Sequence, residues 1–88
     1  MKQSVVCNYR IGHRPKTEPL LGHMIYEVFY DQEGQITMYA SDPVSPFGDI
    51  PDELYEDMCN MMRAFDEEPV NLDYIDYLLE RKARSEEE

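Results

Sequence analysis

The chain has 88 residues, 42% of them hydrophobic and 31% charged, and a formal net charge of −11. A chain of that length buries only about 60 to 65% of its unfolded surface, so it holds one modest core and leaves no room for a second domain. Its apolar content excludes wholesale disorder, its charge opposes direct contact with nucleic acid or anionic membrane, and no apolar run approaches a signal-peptide core or the roughly 18 residues of a membrane span, so a cytoplasmic location is expected.

In chain order, Val5, Cys7, Tyr9 and Ile11 alternate with polar residues across positions 4–11, the period of a half-buried strand. Gly12 to Pro19 holds two prolines and no periodicity and reads as a loop carrying a basic cluster on mobile backbone. Positions 22–30 are rich in aromatic and β-branched residues, with Met24, Tyr26, Val28 and Tyr30 on one face and Ile25 and Phe29 on the other, which predicts a central strand. Asp31-Gln32-Glu33-Gly34 supplies a turn, and positions 35–41 resume a strand to complete a hairpin.

Two prolines and a glycine interrupt regular structure over positions 42–48, and Pro51 then stands where a first helical residue is favoured. Leu54, Met58, Met61, Met62 and Phe65 form one apolar stripe, expected to pack on the sheet, while Asp52, Glu53, Glu56, Asp57 and Asn60 line the other side. Pro69 ends this helix. Leu72, Ile75, Leu78 and Leu79 mark a second one over about 71–84, followed by a frayed acidic tail at 85–88. The predicted architecture is therefore one α+β domain over residues 1–84, a three-stranded antiparallel sheet with one long acidic amphipathic helix packed on it and a second, C-terminal helix.

Asn8-Tyr9-Arg10, His23, the run Tyr26 to Asp31, Asp42 to Pro46, Ala64-Phe65-Asp66 and Pro69-Val70 together resemble a group of small uncharacterised acidic proteins of bacteria and their phages. The resemblance covers about residues 7–72 and implies an aromatic-rich hairpin followed by one acidic helix, with no activity to carry over. Cys7 stands where many members have Trp, and the loop at 12–22 and the second helix are peculiar to this chain.

Catalytic and metal motifs are missing from the pattern. Asp52, Glu53, Glu56 and Asp57 cluster on a helix surface without the Glu-x-x-His that completes a di-metal site, and the turn at 31–34 is too short for a calcium loop. His13 and His23, the two imidazoles, have no Gly-x-Ser-x-Gly, P-loop or dinucleotide fingerprint beside them; His13 is expected exposed and His23 at the surface or hydrogen-bonded. Cys7 and Cys59 lack metal or disulfide spacing and read as free thiols. Tyr9, Tyr26, Tyr30 and Tyr39 read as sheet packing or an aromatic patch, and the six methionines as helix-to-sheet packing or an adaptable groove. No enzyme and no cofactor is expected.

The charge is uneven: residues 1–22 carry +3, residues 23–80 carry −14, and residues 81–88 balance. A non-enzymatic binding module follows, presenting Asp52, Glu53, Glu56, Asp57, Asp66 and Glu67 to a basic protein partner. Carboxylates one helical turn apart lie about 5 to 6 Å from each other, near the phosphate spacing of a nucleic-acid strand, so the face suits an inhibitor that acts as a DNA mimic or an anti-defence (anti-CRISPR-like) protein would. An antitoxin-like partner of a basic toxin has the same signature. The alternative is an accessory subunit or homo-oligomer joined through an edge strand or the C-terminal helix, its acidity serving solubility.

Overall fold

Two adjacent runs of alternating side chains pair first. The computed structural model describes residues 6–87, in which β1 (Val6–His13) and β2 (Met24–Tyr30) pair antiparallel with Asn8 opposite Val28 and Gly12 opposite Met24. β3 (Ile36–Tyr39) adds antiparallel to β2, with a register shift between Phe29 and Tyr30 that puts Tyr39 opposite Val28. The hairpin turn closes through Asp31, whose Oδ1 accepts from the Glu33 and Gln35 amides at 2.9 Å, and through Gly34 at φ +82°, a conformation that favours glycine. The start of the first strand expected at Ser4 and Val5 lies outside the described residues.

A fourth strand corrects the expected sheet. β4 (Val70–Asn71) pairs parallel to the end of β1, with Gly12 opposite Val70, and the sheet is mixed in the order β3-β2-β1-β4. β1 therefore runs two residues into the segment expected to be loop.

The long helix is also shorter than expected. α1 (Pro51–Met62) tightens into a 3-10 turn (Arg63–Asp66) whose Ala64 is fully buried. The turn packs on β1 and reverses the chain, and Pro69 steers Glu68 away from helical backbone so that β4 can line up beside β1. α2 (Leu72–Glu87) starts under an Asn71 cap, its Oδ1 accepting from the Tyr74 amide at 3.1 Å, and runs past the boundary expected at position 84; Glu88 lies outside the described residues.

The two sheet faces differ in chemistry. The alternation of β1 and β2 puts Tyr26 and Val28 on one face, where they join Val70 and Leu72 in a core flanked by Met24, Tyr30, Ile36, Tyr39 and Ile75. Gly12 makes the approach possible, because a Cβ there would stand 2.8 Å from Tyr26 Cδ1 and 3.1 Å from Leu72 Cδ1. The opposite face carries Cys7, Tyr9, Ile11, Ile25 and Phe29, with Glu27 directly across from Tyr9, so α1 meets a partly polar platform there. Consequently the expected packing of the α1 stripe fails: Met61 is buried, whereas Leu54 is 38%, Met58 49%, Met62 63% and Phe65 63% exposed. The radius of gyration, 14.8 Å, exceeds the about 12 Å of a tightly packed chain of this length.

Gly12→Ala is expected to cost about 1 to 3 kcal/mol in urea unfolding through overpacking, whereas Met62→Ala should stay within about 0.5 kcal/mol of wild type. Equal losses in the two variants would contradict the division between a packed α2 face and an open α1 face.

Candidate functional site

The carboxylates singled out by the sequence do not form one free face. Asp52 and Glu56 are exposed on α1. Glu53 reaches back over the helix start and accepts from the Asp49 amide at 3.0 Å, replacing the side-chain cap that Ile50 does not provide. Asp57 ties down the preceding loop, accepting from the Phe47 amide at 2.9 Å, and Tyr9 Oη lies 3.5 Å from its other oxygen. Burial first, and then the charge of Asp57, raise the Tyr9 pKa.

Asp66 and Glu67 lie around the corner from α1. Glu67 sits 3.5 Å from the Arg10 guanidinium and accepts from Asn8 Nδ2 at 3.4 Å, while Arg10 also donates to Tyr30 Oη at 2.9 Å and to the Glu68 carbonyl at 2.7 Å. With Glu27, Asn60 and Arg63 they wall a polar cleft of ≈ 490 Å³. Among the described residues no three His, Cys, Asp or Glu side chains converge to hold a metal ion.

An apolar groove lies beside the exposed part of the α1 stripe. Met58, Met61 and Met62 face Met24, Ile25 and Val44 across ≈ 470 Å³ of largely apolar space. The Val44 amide donates to the Ile25 carbonyl at 2.8 Å, which fixes the far wall against β2. The sequence shows the spacing of this stripe but not what the stripe meets. Among the remaining methionines, Met38 is exposed on β3, so the adaptable-groove reading holds at α1. α1 as a whole carries four carboxylates and no basic side chain between Pro51 and Met62, with exposed Asp52 and Glu56 on the side of the helix away from the groove.

The basic loop is anchored, against the expectation of mobile backbone. Arg14 donates to Asp76 Oδ2 at 2.8 Å and to Tyr39 Oη, its guanidinium lies over the Tyr39 ring, and Tyr39 donates to Asp76 Oδ1 at 2.6 Å. Asp73 collects Thr17 Oγ1 at 2.7 Å and the amides of Lys16 and Thr17 at 2.8 and 3.2 Å. The Thr17 hydroxyl, more than the amides and Arg14, holds the Asp73 carboxyl below the usual carboxylate range. Burial and the Asp76 carboxylate push the Tyr39 phenol up.

The other expectations divide. His13 is half-buried at the end of β1, stacked on exposed His23 with ring centroids 4.5 Å apart, because β1 continues into the expected loop. The sheet tyrosines pack: Tyr26 is buried, and Tyr9, Tyr30 and Tyr39 are half-buried. The exposed tyrosines, Tyr55, Tyr74 and Tyr77, are on the helices. Cys7 and Cys59 are exposed free thiols. Among the described residues no helix is long and apolar enough to cross a membrane. No family model, curated protein or solved structure matches the chain.

Because the folded pKa of Asp73 is depressed, its stabilising contribution is complete above the unfolded value of about 3.9 and is lost as pH falls through the folded value. Asp73→Asn is therefore expected to lower Tm at pH 7 and to converge on wild type near pH 2 in a thermal melt series. A Tm difference that is constant with pH would contradict this assignment.

Proposed function

We propose that the chain is a non-enzymatic protein-binding module whose α1 engages a basic, amphipathic segment of a partner protein. The supporting observation is that the Leu54, Met58 and Met62 stripe stands uncovered on a helix that carries four acids and no base, with exposed Phe65 on the turn that follows it. Apolar side chains left in water at helical spacing suit the apolar face of a partner helix, and unbranched methionines adapt to its shape. The acidic field of the helix draws in lysine and arginine side chains and disfavours acidic competitors.

Such a module suits an inhibitor or regulator that occupies the nucleic-acid-binding surface of a basic protein, as an anti-defence protein of phage type would. The free thiols suit a reducing compartment such as the cytoplasm. Charge mimicry alone is a second reading, favoured by Asp52 and Glu56, which stand four residues apart and exposed. It makes no use of the methionine groove.

A fluorescein-labelled peptide of about 18 Leu and Lys residues in helical amphipathic order, and a scrambled peptide of the same composition, separate the two readings by anisotropy titration. The amphipathic peptide is expected to bind at least about tenfold more tightly than the scrambled one. Asp52→Lys with Glu56→Lys should weaken binding chiefly at low salt, and Met58→Ser with Met62→Ser at all salt concentrations. Glu53 and Asp57 are left intact because they hold the fold together. Equal binding of both peptides, indifferent to the methionine variant, would leave charge mimicry; binding of neither would remove both readings.

A further inference from the structure

The groove beside α1 gathers one kind of donor atom. Met24 on β2 and Met58, Met61 and Met62 on α1 line the same ≈ 470 Å³ of space, four of the six methionines in the chain. Apart from the Ser45 hydroxyl, the other described side chains of its wall are hydrocarbon, so its chemistry is that of the thioether. Packing does not account for all four. Met61 is 6% exposed and serves the fold, whereas Met58 and Met62 are 49% and 63% exposed and are committed to no core.

Helical spacing brings these side chains within reach of one ion. Met58 and Met62 stand four residues apart and Met58 and Met61 three, so the Cβ atoms of each pair are about 5 to 6 Å from each other. Two metal–sulfur bonds of about 2.3 Å span most of that gap, and unbranched side chains with three rotatable bonds close the rest. The donor set then selects the ion. Thioethers are soft, which disfavours magnesium and calcium, whose sites are built from oxygen. Zinc and iron–sulfur centres are held by thiolate or imidazole, and among the described residues no Cys or His lines the groove. Neutral donors leave the ion's charge uncompensated, and the cost of taking a charge from water rises with its square, so a monovalent ion is favoured. The net charge of −11 draws cations toward the molecule.

We infer that the groove is a thioether site for copper(I), the soft monovalent ion, in which Met58 and Met62 hold the ion from α1 and Met24 holds it from β2. The inference goes beyond the peptide-binding reading and does not require it. A partner segment uses the hydrocarbon of these side chains, whereas copper(I) uses their sulfur.

Silver(I), added as its nitrate, is the first probe, having the charge and softness of copper(I) without its sensitivity to air. It is titrated into the full chain carrying Cys7→Ser and Cys59→Ser, because both exposed thiols would otherwise capture it. The methionine ε-methyl resonances are expected to report one bound ion, with Met24, Met58 and Met62 shifting and Met38, on β3, unmoved. Copper(I) delivered from a colorimetric chelator should reproduce these shifts, and zinc(II) should not. Met58→Leu with Met62→Leu keeps the apolar volume and removes two sulfurs, so it should weaken silver(I) binding at least about tenfold without changing the circular dichroism spectrum. No shift up to about 1 mM silver(I), shifts shared equally by Met38, equal shifts with zinc(II), or undiminished binding by the leucine variant would each overturn the inference. The peptide titration is a separate readout, so failure of either reading leaves the other standing.

Discussion

Arg14 joins the parts of this molecule that its small core holds least firmly. Leu72 and Ile75 anchor only the first turn of α2 to the sheet. Beyond them, the helix is fixed by Asp76 through the Arg14 guanidinium just past β1 and the Tyr39 hydroxyl on β3. One planar cation thus ties together the end of β1, strand β3 and the helix laid across the sheet, and it does so with side chain 18% exposed, where water competes less for the contact. Asp73 repeats the device with uncharged donors, holding the loop at Lys16 and Thr17. Arg10 and Arg14 are therefore spent on internal contacts and do not belong to a free basic patch.

Committing the apolar face of the sheet to α2 has a consequence on the other side. Glu27 sits opposite Tyr9 there, and a carboxylate at that point is incompatible with a dry helix-to-sheet layer. α1 is held instead by polar contacts, with Asp57 fastening the loop at Phe47 and Glu53 closing the helix start. Met61 is left as the one buried side chain of the helix. The same amphipathic sequence that would have made a core helix on an apolar platform makes a groove beside this one.

Local chemistry was legible in the sequence where the determinants are local. The β2–β3 hairpin follows from Asp31 and Gly34, and the start of α1 follows from Pro51 with acids in the first turn. The sheet's fourth strand was not legible, because two residues are too few to show a period and their partner is 58 positions earlier in the chain. The anchoring of Arg14 was hidden for the same reason, its acceptor Asp76 lying 62 positions away. In α1 the period of the stripe was read correctly but its destination was not, since periodicity tells which residues share a face and not what that face meets. Of the acidic residues, sequence could not separate Asp52 and Glu56, exposed on the surface, from Glu53, Asp57 and Glu67, which hold neighbouring segments.

α1 thus presents an uncovered apolar stripe on a helix with acids alone, and the proposed engagement of a foreign basic segment rests on that combination. The central claim, that the α1 groove is a binding surface, is tested most directly by the ε-methyl resonances of the six methionines during titration with the basic amphipathic peptide. The account expects the signals of Met24, Met58, Met61 and Met62 to move while Met38, on β3, stays in place. Shifts spread evenly to Met38, or no shifts at saturating peptide, would contradict it.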